Sequence, residues 1–368
     1  MREDFMDPQD IHDFTQAKFE RNIPRFARGP VDVTWEVTNK CNLRCKHCFL
    51  PDASEPLLDE LTTAEGYLLL DNLADAGVKS LLFSGGEPLT RPDLEELARY
   101  AVSNRMTVWL QTNGWYLAEK AEALKKIGFE QVQVSIDGAT AETHDWFRGR
   151  GSFERAVGGV KKCIDLGFAS VGIGATVSQR NLDEVPQMID LALELGVRAF
   201  ETLSFMPSGR GAGMSQFALT VQQRKDLYTY LAERQQQLES RMVVGSEEPF
   251  MYIESKKLLD ACANPSSRAV GIGCGAGLLG CAVKPNAKVY PCVGVAVEIG
   301  DLRREALKEI WHTSETLKIL RNRREVKGKC GRCEYKFVCS GCRGMAHALT
   351  GDPMGEDPTC WHEPRLGQ

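Results

Sequence analysis

The sequence predicts an α/β fold, a partial (β/α)6 TIM barrel followed by a small cysteine-rich domain. Three observations predict it. Between residues 31 and 205, short β-branched runs alternate six times with amphipathic stretches. The chemically unusual residues fall just beyond the C-terminal ends of those runs. After Pro207 the rhythm breaks, and from about residue 270 cysteine and glycine accumulate instead. Strand–helix alternation calls for parallel strands joined by right-handed crossovers. Functional loops gathered at the strands' C-terminal ends favour a barrel. An open doubly wound sheet shares that habit and is the alternative.

The six runs are VDVTWEV (31–37), LLFSG (81–85), TVWLQTN (107–113), QVQVSID (131–137), VGIGATV (171–177) and AFETLSF (199–205). Between them lie stretches such as DLEELARYAVSN and LDEVPQMIDLALELGV, with apolar residues three to four apart. Several end in Gly, as helix C-termini prefer. The loops beyond the runs read CNLRC, GGEP, NG, DG, SQRN and MPSGRG. A Gly-rich SGRGAG loop follows Pro207, then a long polar helix, TVQQRKDLYTYLAERQQQLESR. The last hundred residues show one helical pattern, LKEIWHTSETLKILRNRR. The expected organisation is an N-terminal arm (1–30), the barrel (31–240), a linker (241–270) and the cysteine-rich domain (271–368).

Composition narrows the function classes. The chain has 45 Lys and Arg against 50 Asp and Glu, with no basic block, so nothing points to nucleic acid. No apolar stretch of about 18 residues exists to span a membrane, and MREDFMDPQDIHDFTQ lacks the apolar core of a signal peptide. A cytoplasmic protein is expected. Thirteen cysteines are then abnormal, because a disulfide framework needs an oxidising compartment. Eleven of them fall in two clumps; Cys163 and Cys262 stand apart and read as packing residues. Metal or iron–sulfur ligation explains the rest.

The first clump, Cys41, Cys45 and Cys48, spells C-x3-C-x2-C on the loop after the first run. Three thiolates hold three corners of a cubane and leave one iron open to a ligand. A zinc site completed by His47 is the alternative, disfavoured because adjacent His47 and Cys48 rarely both reach one tetrahedral ion. Gly85, Gly86, Glu87 and Pro88 follow one unit downstream. Two glycines let the backbone approach a ligand, and Glu87 is suited to accept a charge-assisted hydrogen bond from an ammonium group.

On CNLRCKHC and GGEP together, the sequence closely resembles the radical S-adenosylmethionine (SAM) superfamily. The resemblance implies a 4Fe–4S cluster whose open iron is chelated by SAM, and reductive SAM cleavage to a 5′-deoxyadenosyl radical that abstracts a substrate hydrogen. It further implies SAM contacts by Asn113, Ser135, Asp137 and Arg148 at the ends of the third and fourth runs and in WFRGRG. His47 occupies the place of an aromatic whose backbone carbonyl meets adenine. The family's GxIxGxxE pattern is not met by VGIGATVSQRN, so no adenine contact is assigned there.

The second clump is Cys274, Cys281, Cys292, Cys330, Cys333, Cys339, Cys342 and Cys360. Alone, its C-x2-C-x5-C-x2-C core is also compatible with a compact zinc ribbon. The spacing resembles the SPASM extension of radical SAM enzymes. That likeness implies two auxiliary 4Fe–4S clusters, one on Cys274, Cys281, Cys292 and Cys342, the other on Cys330, Cys333, Cys339 and Cys360, for three in all. Two departures stand out: Ala287 replaces the usual Gly before VYPC, tolerable if that turn needs no positive φ, and CSGC has one residue fewer than usual. Fully ligated clusters relay electrons, which suits net oxidation of a substrate.

For the substrate, sulfatase maturation is disfavoured because Val293 replaces the Asp expected after YPC. FRGRGSFERA, PSGRG and CGAG resemble maturases of ribosomally made peptides, including the mycofactocin type. No peptide-recognition domain is visible in 1–30, so a separate leader-binding protein is expected, with a flavodoxin- or ferredoxin-type reductant. SGRG and GDPMGEDPTC are shared with haem-biosynthesis relatives. Tetrapyrrole side-chain oxidation or decarboxylation, or oxidation of a sugar or other small molecule, are the alternatives. A non-enzymatic electron-transfer or zinc scaffold would leave GGEP without a purpose. No acid or base is assigned; Glu201, Arg210, Tyr252 and Glu254 lie in segments near the expected barrel mouth and read as structural or solvated.

Overall fold

The computed structural model describes residues 7–26, 28–50, 55–255 and 272–366, and Cys262 lies outside them. Six parallel strands match the six runs: β1 (Asp32–Glu36), β2 (Ser80–Ser84), β3 (Thr107–Thr112), β4 (Gln131–Ser135), β5 (Ser170–Val177) and β6 (Ala199–Ser204). Helix α1 (Pro8–Phe26) precedes them. The crossovers carry α2 (Thr63–Asp75), α3 (Leu94–Ser103), α4 (Leu117–Ile127), α5 (Ala141–Arg148), α6 (Ser152–Asp165) and α7 (Val185–Leu195). Local chemistry sets their ends. Thr62 and Glu65 form a capping box at the start of α2, while Gly128 and Gly196 close α4 and α7 in left-handed conformation.

The barrel extends further than the sequence suggested. After α8 (Val221–Leu238), β7 (Val243–Ser246) pairs in parallel with β6. The stretch 241–270, expected to be a linker, thus begins as a strand followed by α9 (Met251–Glu254). At the opposite edge, β8 (Gly280–Val283) from the cysteine-rich region runs parallel to β1, and β9 (Lys288–Tyr290) and β10 (Gly300–Asp301) add antiparallel strands. One ten-stranded sheet therefore links both regions, in the order β10-β9-β8-β1-β2-β3-β4-β5-β6-β7.

Period-two alternation divides the sheet into two faces. Val33, Trp35, Leu81, Phe83, Val108, Leu110, Val132 and Val134 point to the helices and are buried. The inner face carries Ser84, Gln111, Gln133 and Ser135 at half-buried positions, so the bore is polar instead of packed. Cys163 is fully buried in the helix-facing core, as expected.

The C-terminal region adds α10 (Leu307–Thr313), α11 (Glu315–Arg321), α12 (Gly328–Gly331) and α13 (Arg343–Thr350). The single helix expected over LKEIWHTSETLKILRNRR is two, because Ser314 leaves helical geometry and accepts from Leu317 N–H to cap the second. The N-terminal arm is not loose: Phe19 and Phe26 of α1 pack with Phe337, Ile272 and Leu278, and Trp311 Nε1 donates to Phe26 O at 3.0 Å. No described helix is long and apolar enough to cross a membrane.

Candidate functional site

A cavity of about 200 Å³, open at its mouth, lies at the C-terminal ends of the barrel strands. Cys41, Cys45 and Cys48 line it together with His47, Gly85, Gly86, Asn113, Ser135, Arg148 and Arg210. The cysteine loop is held from outside, Lys46 N donating to Phe147 O at 2.8 Å and Gly211 N to Cys48 O at 3.1 Å. Burial pushes the Cys41 thiol up to about 12, with the neighbouring carboxyl and thiols adding to it, and pushes Cys45 upward against the opposing charge of Arg148. A metal bound here must therefore displace protons from these thiols.

The glycine loop is pressed against the loop that follows β1. Gly86 N donates to Thr38 O and Glu87 N to Lys40 O, both at 2.8 Å. A Cβ on Gly85 (φ +131) would lie 2.5 Å from Thr38 O, and one on Gly86 would lie 2.4 Å from Asn39 O and Lys40 O. Only glycine fits either position. Glu87 does not line the cavity. Its fully buried carboxylate accepts from Thr112 Oγ1 (2.8 Å), Leu89 N (3.1 Å) and Asn113 N (2.8 Å), tying this loop to the end of β3. Glu87, expected to meet an ammonium group, turns its carboxylate toward these chain donors. Burial raises its pKa against those three donors. Pro88 opens a short 3-10 turn beneath the cavity.

Asp137 likewise sits behind the wall, fully buried. Its carboxylate accepts from His47 Nε2 at 3.0 Å, from Thr176 N at 2.8 Å and from Arg148 Nε. Burial works to raise its pKa, but Arg148 and then His47 more than offset that and hold it well below the usual carboxylate range. Asp137, expected to contact SAM, faces His47 and Arg148 here and holds both side chains. This pairing across 90 residues had no signal in the sequence. Asn113 does reach the wall, donating to Asn42 Oδ1 at 2.9 Å and lying 3.7 Å from Cys41 Sγ. Ser135 and Arg148 line the wall as expected. Thr176, Leu203 and Met206 also line it, unremarked in sequence because nothing but strand position marks them.

Below the cavity a polar chain crosses the bore. Ser84 Oγ donates to Gln111 Oε1 (3.2 Å), Gln111 Nε2 to Gln133 Oε1 (3.1 Å), and Gln133 Nε2 to Glu201 (3.0 Å) and Glu247 (3.3 Å). Burial raises the pKa of both glutamates. Of the other residues noted near the mouth, Arg210 lines the cavity. Glu254 instead joins Thr229 to Trp361 Nε1, and Tyr252 packs against the core.

The second clump separates into two groups of electrostatic neighbours. Cys330, Cys333, Cys339 and Cys360 form one; Cys274, Cys292 and Cys342 form the other. Ser340 and Gly341, both left-handed at φ 69, make the turn that sends Cys339 one way and Cys342 the other. Asp357, in GDPMGEDPTC, braces both groups by accepting from Cys342 N at 2.9 Å and donating its own N–H to Cys330 Sγ at 3.4 Å. Cys281 joins neither group, against expectation. It sits opposite Val33 in the β8–β1 register, which turns its thiol to the helix-facing core beside Arg321. Ala287 does adopt positive φ (+70), so the turn between β8 and β9 places a Cβ where glycine is favoured.

Thiols around one tetrahedral ion lie about 3.8 Å apart, given metal–sulfur bonds of about 2.3 Å. Among the described residues only Cys333, Glu334 and His362 bring three such ligand atoms within 4.8 Å of one another. The three cavity thiols are not drawn together in that way.

Comparison with known proteins agrees with this geometry. Residues 35–192 match the model of the radical SAM superfamily, and residues 274–334 match that of the SPASM iron–sulfur cluster-binding domain. The chain is 38% identical to an AdoMet-dependent heme synthase from Methanosarcina barkeri, over 93% of this chain and 98% of that protein. It is 32% identical to a mycofactocin maturase from Mycobacterium tuberculosis, over 92% of this chain and 86% of that one. Among solved structures, Streptococcus suis SuiB bound to its precursor peptide superposes with a TM-score of 0.74 at 18% identity, covering 94% of this chain and 80% of that one.

Proposed function

The chain belongs to the radical SAM superfamily, and we propose that within it this enzyme oxidatively modifies a carboxylate-bearing side chain of a tetrapyrrole. The observation that carries the substrate class is Arg210, a cation without an ion pair among the described residues, on a cavity wall with no Asp or Glu. Such a wall favours ionised carboxylates. The likeness to the heme synthase, spanning nearly the whole of both chains, supports the same reading.

Cys41, Cys45 and Cys48 would hold a cluster, while Gly85, Gly86, Asn113, Ser135 and Arg148 would cradle SAM; when bound, the pair supplies a hydrogen-abstracting radical. The chain's own residues then have defined tasks. Asp137 fixes Arg148 and His47, Phe205 excludes water, and Arg210 meets substrate. A propionate group losing one hydrogen atom, CO2 and one electron becomes a vinyl group, and the substrate carboxylate must stay ionised for that step. Cys330, Cys333, Cys339 and Cys360, with three further thiolates from Cys274, Cys292 and Cys342, would hold auxiliary clusters that accept the electron. A flavodoxin- or ferredoxin-type protein would supply the first electron.

Peptide modification, with a separate leader-binding protein, is the second reading and rests on the mycofactocin maturase likeness. Anaerobically reconstituted enzyme with SAM, dithionite and iron coproporphyrin III decides between them. Substrate-dependent 5′-deoxyadenosine together with CO2 release is expected; 5′-deoxyadenosine without any change in the porphyrin would refute the tetrapyrrole reading.

A further inference from the structure

Beside the cavity mouth runs a groove of about 380 Å³ whose floor is apolar, Trp146, Met214 and Phe217, and whose rim is basic, Arg44, Lys46 and Arg210. Arg180 adds a fourth cation, lying 5.4 Å from the Trp146 ring on which Lys46 Nζ also rests at 3.9 Å. These contacts order the charges without neutralising them. None of the four cations forms an ion pair among the described residues, in a chain whose net charge is −5.

Arg210 belongs to both groove and cavity. The SGRG sequence explains how it is held there. Gly209, at φ +54, lies so near the cysteine loop that a Cβ would be 2.0 Å from Phe49 O. Arg210 N donates to Leu50 O at 3.2 Å, and the buried Nε of its guanidinium has no partner among the described residues. A desolvated donor of this kind is costly unless an acceptor arrives.

We propose that this groove docks a planar, polycarboxylated macrocycle, its apolar edge on Met214 and Phe217, its peripheral carboxylates on Arg44, Lys46 and Arg180, and its reacting side chain led into the cavity by Arg210. The inference rests on the tetrapyrrole reading and adds to it the place and the residues of recognition. Charge complementarity selects the occupant: a small anion would be satisfied inside the cavity, whereas scattered cations around an apolar floor need several carboxylates carried on one flat body.

The test titrates full-length, iron-loaded protein anaerobically with coproporphyrin III and with its uncharged tetramethyl ester, following the porphyrin absorption band and tryptophan fluorescence. The acid is expected to bind at least tenfold tighter than the ester, and to weaken as salt rises. Arg210→Gln should raise Kd about tenfold, with Arg210→Lys recovering part of it. Arg44→Gln, Lys46→Gln and Arg180→Gln, all at exposed positions, should each raise it about threefold with iron content unaltered. If wild type binds and converts the porphyrin while these variants bind it equally well, the docking inference fails and the function stands. If the variants bind porphyrin normally but need more acidic reductant protein for SAM cleavage, the surface belongs to the electron donor and the inference is overturned. If wild type binds no porphyrin, both readings fall.

Discussion

Replacing Asp137 by Asn tests whether the cavity wall is set from behind. The substitution keeps the size of the side chain but removes the charge that faces Arg148 and His47, whose side chains are 11% and 6% exposed. One end of the amide must also point an N–H at a donor, either Thr176 N or the Arg148–His47 side. Leaving a buried cation without its partner costs about 3–5 kcal/mol. At roughly 2.1 cal/mol/K per residue of unfolding entropy, that is a fall of about 5 °C in the thermal midpoint. The pH dependence has a definite sign. The folded pKa of Asp137 lies below the unfolded value of 3.8, so its contribution is complete above that value and is lost only as pH falls through the folded one. The gap between wild type and variant, read by circular dichroism during urea unfolding, should therefore be constant from about pH 5 to 8. A loss under about 1 kcal/mol would refute the assignment, as would a gap that widens with pH across that range.

Three further outcomes follow from other sites. Cys281→Ala should leave iron and sulfide per chain unchanged at a cost near 1 kcal/mol, whereas Cys330→Ala should lose metal; equal losses would put Cys281 back among the ligands. Ala287→Gly should lie within about 1 kcal/mol of wild type, relief of the left-handed Cβ offsetting the lost methyl burial. Ala287→Val, a β-branched residue at φ +70, should be severely destabilised, so thermal midpoints that rank Val above Gly would contradict the geometry. Burial, with Arg148 adding to it, lowers His144 to about 4, below its unfolded 6.5. Stability should be full above pH 6.5 and fall by about 1.4 kcal/mol per unit as pH drops toward 4, a slope that His144→Gln should flatten.

The six central strands were legible because β-branched runs and amphipathic helices differ in period, and the parallel pairing follows from that alternation. β7 and β8 were not, since VVGS and GCAV are each four residues long and join the sheet only through partners distant in sequence. The cavity cysteines and glycines were legible by spacing. What escaped was direction: Glu87 and Asp137 occupy expected places, yet their carboxylates are taken up by backbone and side-chain donors that no motif records. Cys281 misled for the same reason, because its neighbours along the chain are cysteines while its neighbours in space are a strand and Arg321. The peptide reading rested on local sequence patterns, which do not record which charges come to share a cavity wall.

The turn at Ser340 and Gly341 has one more implication. Cys339 and Cys342 are three residues apart, a length of chain that reaches about 10–11 Å at full stretch. Inorganic centres bound by the two thiol sets would thus be joined by a bridge of a few peptide bonds, with no movement of domains needed to keep them close. The same shortness ties their fates. Oxidative corrosion of one centre would slacken the hairpin that anchors the other, so the pair should be assembled, and lost, as a unit.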